Sequence, residues 1–331
     1  QTLIIGFSII YVTKTLGSHF NLNIKLKILI SILLFLPIIK FYNILLTESI
    51  GYAFSLFFVS FIMKLIYSFN IQNLVWSTIF AILLLLTRNQ FLFIYPVIFF
   101  IYLTIFIRSS SKKILIRLIA SFLLVIVVHN SFIFINTYLK KDSFKTESLT
   151  YNNYGPFFYV FIDTIYISKI KDSTLFGNQN IKETVFDIIK EMDNRKSLIE
   201  HYNGRGHFGQ SLIEIREYSR NLLEELAIKE NISITKLKVK ISIKLISKNY
   251  KKYFQHIFKK FYDSSWLFVF LPFFMFIAGL MSFIKYRSKY SQIILFISLF
   301  SLTNHSVVYL FGRVQPRYFI YTDFILLLFI F

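Results

Sequence analysis

FLFIYPVIFFIYLTIFIRSSSKKILIRLIASFLLVIVVHNSFIFIN, residues 91–136, decides the fold. Two apolar runs, 91–107 and 114–136, flank a short basic segment with Arg108, Lys112 and Lys113, and Arg117 follows just inside the second run. A run of about 17–25 apolar residues is long enough to cross a bilayer as a helix. Inside lipid every backbone N–H and C=O must be bonded within the segment, which a continuous apolar run achieves only as a helix. The alternating ten-residue pattern of a barrel strand is not seen.

The same pattern recurs along the chain. Apolar runs fall at 2–16, 28–46, 50–67, 72–87, 91–107, 114–136, 265–284, 290–311 and 318–331. Pro37 and Lys40 interrupt the second run, which predicts a membrane helix followed by a short interfacial piece. Overall 55% of the residues are hydrophobic and 16% charged, and the mean hydropathy is +0.59. A soluble domain is roughly 45–50% apolar and about 25% charged, so no water-soluble fold accommodates the chain. The expected fold is all-α: a polytopic transmembrane helix bundle of about nine spans with a large, mostly helical extracytoplasmic loop domain.

Charge sets the expected topology. Alternate short loops carry Lys25 and Lys27, then Lys64, then Arg108, Lys112, Lys113 and Arg117, then Lys285, Arg287 and Lys289, with no acidic residue among them. The other short loops carry Lys40, Arg88, Arg313 and Arg317, with Glu48. The positive-inside rule puts the first set in the cytoplasm and the second outside. The net charge of +20 then belongs to cytoplasmic loops and anionic lipid head groups, and membrane lipids rather than nucleic acid are the expected partner. The Ile-, Phe-, Lys- and Asn-rich composition points to an AT-rich bacterial genome. No cysteine is present, which excludes disulfides and thiolate metal sites.

Three segments follow: membrane helices over 1–136, an extracytoplasmic helical domain over 137–263, and further membrane helices over 264–331. The middle segment holds 22 Lys/Arg and 15 Asp/Glu. Long loops cross the membrane largely regardless of charge. Residues 181–200 and 208–229 read as amphipathic helices, the first with Val185, Ile188, Ile189, Met192 and Leu198 at helical spacing. Residues 234–262 form a third, in which Leu237, Val239, Ile241, Ile243, Leu245 and Ile246 interleave with lysines. Its aromatics and opposing basic residues predict a helix lying in the membrane interface. The run Phe157 to Ile167 is too short to span.

Of the 17 acidic residues, only Glu48 and Asp323 lie outside the middle segment. A carboxylate beside or within an apolar span is costly and marks a functional candidate. Glu48, in Leu46-Thr-Glu-Ser49, reads either as a first-turn residue complementing a helix dipole or as a metal ligand or substrate-positioning group. Arg88, in Leu86-Thr-Arg-Asn-Gln90, and Arg313, Arg317 and Tyr318, in Gly312-Arg-Val-Gln-Pro-Arg-Tyr318, read as interfacial anchors or as phosphate contacts. His305, inside a span, reads first as a helix–helix hydrogen-bond partner and second as a site residue. Asp323 reads as the partner of a nearby basic group. His201 and His207 make at best a weak metal pair, and Asn231-Ile-Ser233 matches a glycosylation sequon.

Four short elements in this order resemble a known family: Leu-Thr-Glu-Ser at the outer start of a span, Leu-Thr-Arg before an apolar run with Pro96, Lys248-Asn-Tyr-x-x-Tyr253 before a span, and Arg317-Tyr318 entering the last span. The chain resembles the bacterial GT-C glycosyltransferase superfamily, in particular its dolichyl-phosphate-mannose-protein mannosyltransferase-like and Rgt-type members. The resemblance implies inverting transfer of a sugar from a polyprenyl-phosphate donor to a lipid, glycan or protein acceptor, at the outer face of the bacterial cytoplasmic membrane. It puts Glu48 near a metal or acceptor, and Arg88 and Arg317 at the lipid phosphate. A divalent cation, Mg or Mn, is compatible with Glu48. The sequence opens on Gln1 and stops within an apolar run, which reads as a fragment; the family's catalytic acidic residue is then expected upstream of Gln1. Competing functions are a flippase or transporter for lipid-linked oligosaccharide, an O-antigen polymerase, and a membrane scaffold without activity.

Overall fold

A computed structural model describes residues 2–41, 46–143, 157–202 and 210–311, together with Phe319, Thr322, Asp323 and Ile325. Among the described residues the chain is helical, with no strand. Ser49–Tyr67, Gln90–Ser109, Lys112–Asn136 and Lys289–Leu310 are long and apolar enough to cross a membrane, and Ile71–Thr87 and Phe270–Tyr286 are shorter apolar helices. The chain divides into two units. One comprises 1–139, 267–307 and 316–331, and the other 140–266 and 308–315.

In the first unit, helices α1 (Thr2–His19), α2 (Ile24–Phe41), α3 (Leu46–Tyr67), α4 (Ile71–Thr87), α5 (Ile94–Ser109) and α6 (Lys112–Ser143) are joined by α11 (Lys289–Phe311). Ring contacts fix their directions. Phe54 meets Phe80 while Phe61 meets Trp76, so α3 and α4 are antiparallel. Tyr11 packs on Phe57 and Phe61, and Tyr67 donates to the His19 carbonyl, so α1 runs alongside α3 in the same direction. The core between them is built from residues such as Leu56, Phe58, Ile62, Val97, Ile101 and Phe296, all fully buried. A knot of hydroxyls ties α4, α5 and α6 together: Ser121 Oγ lies 2.6 Å from Thr78 Oγ1 and 2.9 Å from Tyr102 Oη. Such interhelical bonds substitute for the hydrophobic drive that helices lack in lipid.

The expected basic loops converge on one end of this bundle. Lys64 Nζ donates to Tyr11 Oη at 2.6 Å, and Arg108 donates to the Ile66 carbonyl and to Gln292. Lys289 lies over the Tyr67 ring, and a Cβ on Gly17 would collide with the Lys27 side chain. The ends of α1, α3 and α5 and the starts of α2, α6 and α11 therefore share one end. The chain directions put the start of α3 and the end of α4 at the other.

Two expected boundaries shift. Helix α2 runs through Pro37 and Lys40 to Phe41 instead of breaking. Proline removes a single backbone donor, and neighbouring helices in an apolar bundle tolerate one. The amphipathic stretch 234–262 and the span at 265–284 are not separate: both lie in one helix, α10 (Ile234–Tyr286), with Pro272 inside it.

The second unit contains α7 (Phe157–Ile167), α8 (Gln179–Tyr202), α9 (Gln210–Lys229) and the first part of α10. Val185, Ile188, Ile189 and Met192 of α8 face Leu223 and Leu226 of α9 and Leu237, Ile241 and Leu245 of α10, all buried. Of the other apolar positions on the third amphipathic helix, Ile243 is exposed. Asp163 of α7 is clamped by α10, with Oδ1 3.2 Å from His256 Nε2 and Oδ2 accepting from Lys260 Nζ. Burial pushes the Asp163 carboxyl up, but the Lys260 ammonium and the His256 hydrogen bond outweigh it and hold the carboxyl below its usual range. Burial, with Asp163 nearby, pushes Tyr253 up to about 12.

Candidate functional site

The site builds up from the end of the bundle opposite the basic loops. Helix α4 stops at Thr87, and Arg88 turns extended. The Arg88 carbonyl accepts from the Phe91 amide, which starts a short 3-10 turn over Asn89–Phe93. That turn carries Gln90 toward α11, where its amide donates to Asn304 Oδ1 at 2.9 Å. Asn304 in turn donates to Thr322 Oγ1 at 3.0 Å. The next residue, His305, places Nε2 2.7 Å from Asp323 Oδ1, and its ring stacks on Phe319 at 4.4 Å between centroids. Thr322 Oγ1 also lies 3.4 Å from Asp323 Oδ1. Five polar side chains thus form one chain of contacts inside an apolar bundle. Asn304 and His305 are fully buried.

The same end holds a second polar pair. Tyr95, in the first turn of α5, has its hydroxyl 2.6 Å from Nδ1 of His129 on α6. Because α3 and α4 are antiparallel, the first turn of α3, with Glu48, lies at this end too. The Glu48 side chain and residues Arg313, Arg317 and Tyr318 lie outside the described residues. The structure therefore brings Arg88 and His305 to one end and leaves the other four without a described geometry.

Sequence reasoning treated His305 and Asp323 separately; the structure joins them. It passed over Gln90, Asn304, Thr322, Tyr95 and His129. Their signal was a polar side chain within or beside an apolar run, and Asn304 stands next to His305.

The pair has a definite chemical capacity. In the tautomer that satisfies a carboxylate acceptor, His305 Nε2–H donates and holds Asp323 in place. The Asp323 side chain is 14% exposed and His305 0%, so the carboxylate is the member a solute can reach. An oriented carboxylate of this kind can accept a hydroxyl hydrogen bond or its proton. Among the described residues no three of His, Asp and Glu converge. The side chains of Glu48, His201 and His207 lie outside the described residues.

Fold and site together define an all-helical membrane protein with a buried polar network gathered at one end of its bundle. Compared with family models, curated proteins and solved structures, the chain matches none.

Proposed function

We propose that the protein is an integral membrane glycosyltransferase of GT-C type with about nine spans. It moves a sugar from a polyprenyl-phosphate donor to a lipid, glycan or protein acceptor at the outer face of the bacterial cytoplasmic membrane. One observation carries this reading: the Gln90–Asn304–Thr322–Asp323–His305 network lies beside Arg88, at the end opposite the basic loops. The positive-inside rule makes the basic end cytoplasmic, so the network faces outward.

An outer-face enzyme has no access to cytoplasmic nucleotide sugars, and a lipid phosphate brings the sugar across. The acceptor oxygen attacks the anomeric carbon in line, its proton passes to a carboxylate, and the bond to the phosphate oxygen breaks with its electron pair. The polyprenyl phosphate leaves, and the sugar configuration inverts. Arg88, with Arg313, Arg317 and Tyr318, holds the phosphate and stabilises its growing charge. Glu48 positions the acceptor. Among the described residues Asp323, held by His305, is suited to act as the base.

The test is release of polyprenyl phosphate from radiolabelled polyprenyl-phosphate sugars in membranes containing the protein. Release coupled to a new glycoside supports transfer. Passage of the intact lipid-linked sugar to the other leaflet, with no release, makes the protein a flippase and ends the proposal.

A further inference from the structure

Apart from the polar network of the first unit, the second unit carries a cleft of about 560 Å³ of its own. It is walled by the end of α7 with Tyr166, the turn that follows with Lys169 and Lys171, α8 with Asp193, and α10 with Lys252. All of these lie within the one unit. The volume falls in the range of small-molecule sites, about 300–1,000 Å³.

The walls are held from behind. Asp172 is buried, and its Oδ2 accepts from the Lys169 amide at 2.9 Å and from Asn249 Nδ2 at 3.0 Å. These bonds fasten the lysine-bearing turn to α10 three residues before Lys252. One turn beyond Lys252, His256 meets the Tyr166 ring at 5.2 Å between centroids and is bonded to Asp163. Asn249, Lys252 and His256 are spaced to share one face of α10. The outer two are committed to carboxylates inside the unit, and Lys252 between them is left to the cleft.

Lys169, Lys171 and Lys252 are all exposed, and among the described residues no ion pair takes them up. A lysine just past the end of α7 complements that helix's dipole, but Lys252 comes from another helix and meets the same space. Ammoniums converging on one cleft concentrate anions there. The rest of the lining narrows the anion. Tyr166, partly buried against the core of the unit, offers an apolar ring with a polar tip. Asp193 accepts hydrogen bonds from hydroxyls, and its charge opposes a chain of phosphates. A sugar ring presents C–H groups on its face and hydroxyls around its edge. Ring, carboxylate and ammoniums together therefore suit a sugar that carries one acidic group.

We propose that this cleft binds an anionic saccharide, a sugar ring bearing a phosphate or a carboxylate. The acidic group sits among Lys169, Lys171 and Lys252, and the sugar ring lies beside Tyr166 and Asp193. The proposal rests on the second unit alone and holds whether or not the protein transfers a sugar.

Trace acetylation of lysines, read by mass spectrometry on the full-length protein in phosphatidylcholine nanodiscs, locates the ligand. Glucose 6-phosphate and glucuronate are the probes, and glucose, inorganic phosphate and AMP are the comparators. Binding predicts that at least one probe slows acetylation of Lys169, Lys171 and Lys252 severalfold, leaves the exposed Lys259 unchanged, and exceeds every comparator. Lys171→Gln and Lys252→Gln alter exposed side chains and leave the fold intact. Each should weaken the saturation-transfer NMR signal of the protecting probe severalfold, through loss of a charge-assisted hydrogen bond. Absence of protection by both probes overturns the proposal, as does slowing that extends equally to Lys259. Equal protection by inorganic phosphate, which marks an anion site without a sugar, or by AMP overturns it too. So does an NMR signal that neither variant changes.

Discussion

Gln90 and Asn304 are 214 residues apart in sequence, and their side chains meet at 2.9 Å. The bond joins the turn after Arg88 to the helix that carries His305. It turns two polar residues in apolar surroundings into the entry of a network that reaches Asp323.

That link has a measurable strength. Gln90→Leu and Asn304→Leu each remove one partner and strand the other, which is the costly way to break a buried bond. A double-mutant cycle on unfolding in bicelles should give a coupling of about 1 kcal/mol, within the range of interhelical bonds in lipid. A coupling of zero would mean that the two amides do not bond.

The His305–Asp323 pair makes a sharper statement about activity. Asp323→Asn keeps the shape and removes the charge, and should lower the transfer rate by about 100-fold or more, the scale of general acid–base effects. His305→Asn should lower the rate less, because it loosens the carboxylate but leaves it present. Both are read by initial rates in membranes containing equal amounts of inserted protein. Normal rates in both variants would leave the pair a purely structural contact.

Glu48→Gln and Arg317→Ala address the positions that the sequence pattern singled out. Each should abolish transfer while the protein still inserts, checked by transfer assay beside membrane fractionation. Unchanged transfer would remove these residues from the site.

In the second unit, Asp163 ties stability to pH. Its folded carboxyl is held below the ordinary carboxylate value, so its contribution is present at neutral pH. As the pH falls below about 4 and through the lower folded value, both states become protonated and the contribution is lost. Hydrogen-exchange protection of the α7 amides, taken relative to the intrinsic rate at each pH, should fall over that acid window in the native protein and lose the dependence in Asp163→Asn. Lys260→Met strands the buried carboxylate and should destabilise α7 by about 3 kcal/mol. Protection that is flat with pH in the native protein would contradict the clamp.

The helical class was legible because its cause is local. An apolar run must become a helix wherever it meets lipid, and the runs at 50–67, 91–107, 114–136 and 290–311 coincide with the four helices long enough to cross. The α8 core was equally plain, since Val185, Ile188, Ile189 and Met192 repeat at helical spacing. Boundaries were less so. Nothing in the short polar stretch 263–264 stops a helix, and α10 runs straight through it. The site was legible only in part. Arg88 and His305 stood out as charged or titratable groups among apolar ones. Their link runs through Gln90 and Thr322, whose importance arises from distant pairing that no local pattern encodes.

Sidedness is what the proposed chemistry needs first, and it can be read directly. Single cysteines at 48, 88 and 317, and a control at 287, are labelled in intact cells with a membrane-impermeant maleimide. The expected result is that 48, 88 and 317 react from outside while 287 reacts only after the cells are opened. If 48, 88 and 317 divide between the two faces, they cannot share a pocket, and the glycosyltransferase proposal is contradicted.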